Sequence, residues 1–146
     1  MAGTRWGHGR KVELLEGISL FSACTKRELG QVASLMVPAE LPAGTVLTRQ
    51  GAAGGLAFVI ASGQAEVTRS GKRLAVLGPG DVVGELSLID GEPRSATVTA
   101  LTDLEVLEID GRDLDKLLRK VPSVMRKLLE SMAGRLREVD AMTASM

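Results

Sequence analysis

The 146-residue sequence predicts a mainly β fold flanked by helices. Three observations carry this. Between Val37 and Ile109 the chain breaks into short apolar runs separated by turn signals at Pro42 to Gly44, Gly51 to Gly55, Ser62-Gly63, Ser70-Gly71, Gly78 to Asp81, Gly91 to Pro93 and Thr102-Asp103, a spacing that belongs to strands. Seventeen glycines against two Phe, one Trp and no Tyr ask for many tight turns around a core of Val, Leu, Ile and Ala. Helical periodicity is confined to the flanks of this region.

In chain order, Met1 to Arg10 is polar and glycine-rich and is expected to be a disordered leader, which leaves residues 11–146 as one domain. Val12, Leu14, Leu15 and Ile18 make a short apolar turn. Thr25 and Glu28 stand at capping-box spacing, and the helix they open carries Leu29, Val32, Ala33 and Met36 on one face, with Pro38 marking its end. Cys24, just before the cap, reads as a half-buried inert thiol. The candidate strands are Thr45 to Arg49, Leu56 to Ala61, Gln64 to Arg69, Arg73 to Leu77, Ser95 to Leu101 and Leu104 to Ile109. Ser70-Gly71 should close a hairpin between two of them. Asp110 can cap a further helix bearing Leu114, Leu117, Leu118 and Val121, and Pro122 ends it or opens the next. A last helix then runs to about Met142 with Met125, Leu128, Leu129, Met132, Leu136 and Val139 in its stripe. The β region thus covers about 37–110 and the C-terminal helices about 111–142.

Composition excludes several function classes. Eighteen basic and eighteen acidic side chains cancel, so nothing in the total charge points to nucleic acid or a membrane surface. One cysteine forms no internal bridge, the N-terminus carries no signal-peptide apolar stretch, and no run approaches a membrane span. The chain is expected to be cytoplasmic. The single histidine, His8, leaves no cluster with metal-ligand spacing, and no Ser, Cys or His constellation suits catalysis. No metal, and no enzyme, is expected.

The stretch with chemistry runs from Gly84 to Val98, GELSLIDGEPRSATV. Gly84 lets the backbone approach closely, and Leu86 to Ile89 can form one helical turn whose free N–H groups favour an anion. Glu85 can accept from a sugar hydroxyl. Arg94 offers the planar fork that matches phosphate oxygens two at a time, held between Pro93 and a strand-like run. These parts suit a small diol carrying one phosphate.

The stretch resembles the phosphate-binding cassette of the cyclic nucleotide-binding domain family, whose pattern is close to Phe-Gly-Glu-Leu-Ala-Leu followed by Pro-Arg-Ala-Ala-Thr-Val. The glycines in LTRQG and ASGQAEV extend the likeness. Two departures stand out: Val83 occupies the usual Phe position, and Gly55 the place of a common acidic residue. The resemblance implies an eight-stranded β-roll, a jelly-roll-like double-stranded β-helix, with N-terminal helices and two C-terminal helices. It further implies that Gly84, Glu85, Leu86, Ser87, Arg94 and Ser95 bind the ligand. Glu85 would accept from the ribose 2′-OH and Arg94 would clamp the cyclic phosphate. Backbone N–H groups around Leu86, Ser87 and Ser95 would add donors, and the Ser95 hydroxyl would reach a phosphate oxygen. Ser95 rather than Thr leans toward cAMP over cGMP. A lid over the base would come from Met132, Leu136, Val139 and Asp140, although Val139 and Asp140 replace the Thr-Ser pair of bacterial cAMP-responsive activators.

The expected function is therefore a non-enzymatic cyclic nucleotide sensor, free-standing or cut from a longer regulator, that signals through its last helix and forms a homodimer along it. A helix-turn-helix needs another few tens of residues, so no nucleic-acid partner is expected of this chain. The alternative is a degenerate module that keeps the fold, dimerises and has lost useful ligand affinity.

Overall fold

The computed structural model describes residues 6–18, 21–53, 55–84, 93–127 and 129–130. Two helices lead, α1 (His8–Glu16) and α2 (Lys26–Ala33). The strands follow as β1 (Val37–Leu41), β2 (Val46–Thr48), β3 (Leu56–Ser62), β4 (Ala65–Arg69), β5 (Lys72–Leu77), β6 (Val82–Val83), β7 (Thr97–Ala100) and β8 (Leu104–Asp110). Helix α3 (Gly111–Lys120) comes next, and the chain is helical again over 122–127, here α4.

The described strands form two antiparallel four-stranded sheets, ordered β1-β8-β3-β6 and β2-β7-β4-β5. All six expected strands are present, with ends shifted by up to two residues. The largest shift is at β7, which begins at Thr97 rather than Ser95 because Ser95 and Ala96 give their carbonyls to side chains instead of a ladder. The other two, β1 and β6, complete the eight strands that the resemblance implies but lie outside the six read from the residues. Pro38 lies inside β1 instead of closing the preceding helix, and β1 tolerates it as an edge strand, where a missing N–H costs no ladder bond. β6 has two residues, too few to show any alternation. The expected hairpin is present: Arg69 pairs with Lys72, and Ser70 and Gly71 between them have φ of 51° and 80°, the mirror-image turn that matches strand twist.

β3 and β8 bury both faces, which is why each reads as a nearly unbroken apolar run. Phe58, Ile60, Leu104 and Val106 point into the roll and meet Ala65, Val83, Val98 and Ala100. Ala57, Val59, Leu107 and Ile109 point outward and meet Leu15, Leu29, Val32, Leu117 and Val124 of the helical layer. Each fully buried Leu or Val of this kind stabilises by about 1.5–3 kcal/mol. Val83, in place of the family's Phe, is buried directly across from Phe58 in the β3–β6 pair, so Phe58 supplies the aromatic volume from the neighbouring strand.

Residues 6–10 of the expected leader are described and pack against the domain. α1 starts at His8, and Trp6 packs against the helical core. The Arg10 guanidinium lies 3.5 Å from the Trp6 ring centroid and 3.8 Å from the Glu105 carboxylate, while Lys11 Nζ donates to Met36 O at 2.8 Å. One aromatic ring and two long cations anchor a stretch whose glycines mask it.

α2 opens on the expected capping box: Glu28 N donates to Thr25 Oγ1 at 3.2 Å and Thr25 N to Glu28 Oε1 at 2.9 Å. The same carboxylate accepts from the Ser123 hydroxyl and from the Lys127 ammonium, so α2 and α4 are joined through Glu28. Lys127, then Ser123, then the Thr25 N–H hold the Glu28 carboxyl down at about 2, against an ordinary value of 4.5. Burial, and secondarily Glu28, pushes the Cys24 thiol up, which disfavours the reactive thiolate. Because the folded pKa of Glu28 is depressed, the stability its charge contributes is present above the unfolded value and is lost as pH falls toward the folded one. In thermal melts, the gap between the wild type and Glu28→Gln should be full near neutral pH and close between pH 4.5 and about 2. A gap of constant size across that window would contradict an ionised Glu28 joining the two helices.

Candidate functional site

Of the residues singled out from the sequence, Gly84, Arg94 and Ser95 are described; Glu85, Leu86, Ser87, Met132, Leu136, Val139 and Asp140 lie outside the described residues. Gly84 directly follows β6, and Arg94 lies three residues before β7. The Arg94 side chain spans the two ends of the cassette. Its Nη1 donates to Gly84 O at 2.9 Å and its Nη2 donates to Leu56 O at the start of β3. Arg94 as a residue is 7% exposed, and a buried charge is tolerated only where its N–H groups find acceptors. Leu56, whose carbonyl takes one of these bonds, directly follows Gly55, the position where the family often has an acidic residue.

The backbone on either side of the guanidinium is gripped as firmly. Arg94 N donates to Ala52 O at 2.9 Å and Gly51 N to Arg94 O at 2.8 Å, so the loop after β2 pairs with the cassette's second end. Thr48, itself buried, donates from Oγ1 to Ala96 O at 3.1 Å, and Gln50 N donates to Thr97 Oγ1 at 2.9 Å. None of these partners was foreseen. Each acts through a main-chain atom or across dozens of residues, and no local motif marks it.

Two cavities flank Arg94. One of about 300 Å³ is bordered by Arg49, Leu56 and Phe58. A second of about 160 Å³ is lined by Val67, Leu77, Val82 and Val98, with Gly84 and Ser95 at its edge. Arg94 and Thr48 border both. The arrangement offers a fixed cation beside an apolar chamber, which suits a ligand with one anionic group and a flat apolar body. A larger cavity of about 460 Å³ lies elsewhere, and Glu40, Asp103 and Glu105 line it. Three carboxylates repel an anion, so the smaller pair around Arg94 is the candidate site. Among the described residues no group of three or more His, Cys, Asp and Glu could hold a metal ion, and no helix is long and apolar enough to cross a membrane.

The model of the cyclic nucleotide-binding domain matches residues 38–121. The chain is 34% identical over 131 residues to the cyclic AMP receptor protein of Thermus thermophilus, covering 86% of this chain and 61% of the relative. It is 35% identical over 115 residues to a cAMP-dependent protein kinase regulatory subunit of Blumeria graminis, covering 77% of this chain and 29% of the relative. It therefore spans about six tenths of the first and under a third of the second. Among solved structures, the N-terminal domain of a transcriptional regulator from Streptomyces coelicolor superposes with a TM-score of 0.78 at 35% identity, covering 88% of this chain and 94% of that one.

A side chain at position 84 would be doubly unfavourable. Gly84 has φ of +83°, and a Cβ there would stand 2.1 Å from Arg94 Nη1. Gly80 has φ of +90° with nothing within 4 Å of the same point, so a side chain there meets the backbone strain alone, of order 1–3 kcal/mol. Gly84→Ala should thus melt several degrees below Gly80→Ala in parallel thermal scans. Equal melting temperatures would mean that Arg94 does not press against Gly84.

Proposed function

The chain belongs to the cyclic nucleotide-binding domain family, and from that premise we propose that it binds cAMP, with cGMP as the weaker ligand, through Arg94. The observation that carries this reading is a buried guanidinium bordering both cavities, its Nη1 and Nη2 each donating to a main-chain carbonyl. A cyclic phosphate is a monoanion whose oxygens can replace neutral carbonyls as acceptors, and charge-assisted bonds to it are roughly twice as strong as neutral ones. The apolar chamber behind Gly84 would receive the non-ionic part of the nucleotide.

In this reading Glu85 accepts from the ribose 2′-OH, and the N–H groups of Leu86, Ser87 and Ser95 complete the phosphate cradle, with the Ser95 hydroxyl beside them. The protein acts as a sensor and not as an enzyme. Met132, Leu136, Val139 and Asp140 close over the base, and that closure is the signal. The described part of the last helix fits such a two-sided role: Val124 is buried against the roll, whereas Met125 and Leu129 are 41% and 53% exposed, a face open to a second copy of the chain. Activities of the longer relatives, DNA binding and kinase regulation among them, would need segments beyond this domain.

Calorimetric titration with cAMP and cGMP tests the proposal. One nucleotide should bind per chain, and Arg94→Ala should weaken cAMP by about ten- to a hundredfold, the loss of about 1.5–3 kcal/mol for a charge-assisted contact. Glu85→Ala should instead abolish discrimination between cAMP and its 2′-deoxy analogue. No heat from the wild type at about millimolar nucleotide would favour the alternative, a dimerising module without ligand affinity.

A further inference from the structure

We infer that Arg69 is a positioning residue for the phosphate end of the site, an inference that rests on the proposed reading of Arg94 and Ser95. The ladder between β4 and β7 ends at the pair Thr68 and Thr97. One residue earlier in β4's partner, the chain leaves the sheet toward Arg94, and three successive carbonyls there need partners. Arg94 O accepts from Gly51 N, and Ala96 O from the buried Thr48 hydroxyl. The carbonyl between them, Ser95 O, accepts from Arg69 Nε at 3.1 Å. It is the one of the three held by an exposed side chain.

With Arg94 O held by Gly51 N and Ser95 O by Arg69, the peptide planes on both sides of Ser95 are fixed, and with them the direction in which Ser95 presents its side chain. Arg69 is well placed to act as the pin. It is the last residue of β4 and is followed by the Ser70-Gly71 turn, whose Ser70 N–H donates to Gln50 Oε1 at 2.8 Å. Gln50 in turn donates its own N–H to Thr97 Oγ1, so the turn, the loop after β2 and the start of β7 form one collar around the cassette's second end. Arg73 in the same hairpin is paired with Glu66 at 2.7 Å. Arg69 forms no ion pair among the described residues, which leaves its positive charge uncompensated beside Ser95. A bidentate planar donor that is always protonated can hold a carbonyl and favour an anion at once.

The test compares the wild type, Arg69→Ala and Arg69→Lys by calorimetry with cAMP and with the Sp and Rp phosphorothioate analogues, whose sulfur replaces one or the other exocyclic oxygen. Arg69→Ala should bind cAMP about tenfold more weakly and change the Sp-to-Rp affinity ratio, Arg69→Lys should recover most of the loss, and nucleotide-free melting temperatures should agree. Unchanged affinity and ratio in Arg69→Ala would overturn the inference. So would an equal loss for all three ligands that lysine does not rescue, since that is what a purely structural role gives. A wild type that binds none of the three defeats the underlying reading, a result visible before any variant is made.

Discussion

The Arg94 guanidinium, bonded to the carbonyls of Gly84 and Leu56, is the contact on which the rest of the site depends. Its charge is buried, so every surrounding choice serves to keep its N–H groups occupied. A Cβ at position 84 would stand 2.1 Å from Arg94 Nη1 and 3.1 Å from Leu56 O, so a side chain there displaces the guanidinium from its bonds. The head of β3 must lie beside the end of β6 because one carbonyl comes from each, and the short β3–β6 pairing of Phe58 with Val83 and Val59 with Val82 brings them there. The loop after β2 must fold back to hold the Arg94 main chain. A buried arginine at the rim of two cavities can give its N–H groups to a phosphate in charge-assisted bonds, which is the physical basis for reading the site as an anion receptor.

The same strands connect the site to the helices. β3 presents Phe58 and Ile60 to the roll and Ala57 and Val59 to α1, α2 and the C-terminal helices. A shift at the head of β3 is therefore felt on both faces, because packed cores adjust in steps rather than by smooth deformation. On the helical side, Glu28 makes α2 and α4 one unit, since it completes the α2 cap while accepting from Ser123 and Lys127. Any outward movement of α4 must break those bonds and expose Val124. Signalling through the last helix, as proposed, would meet a definite energetic obstacle, and nucleotide would overcome it only through its differential affinity for the two positions.

Much of this was legible in the sequence wherever local chemistry decides structure. The Thr25–Glu28 cap, the Ser70-Gly71 turn and the Asp110 cap each depend on neighbours within a few residues, and each is present. Gly84 and Arg94 stand out in the sequence by their spacing, and Arg94 Nη1 donates to Gly84 O. What escaped reading depends on partners distant in sequence. β1 contains a proline that its edge position alone permits, β6 is too short for a period, and the start of α1 rests on one tryptophan packing against the core. Thr48, Gln50, Leu56 and Arg69 act on the cassette through main-chain atoms or across tens of residues, so their types carry no signature.

The central claim is that Arg94 exchanges main-chain carbonyls for a nucleotide phosphate. Its most direct test is a nuclear magnetic resonance titration with cAMP that follows the Arg94 guanidinium together with the backbone amides. The account predicts large changes at the Arg94 side chain and at the amides of Gly84, Ser95 and Ala96, with the region around Glu40, Asp103 and Glu105 unmoved. Saturable changes centred on that acidic cavity, or a bound state in which the Arg94 resonances do not shift, would contradict it.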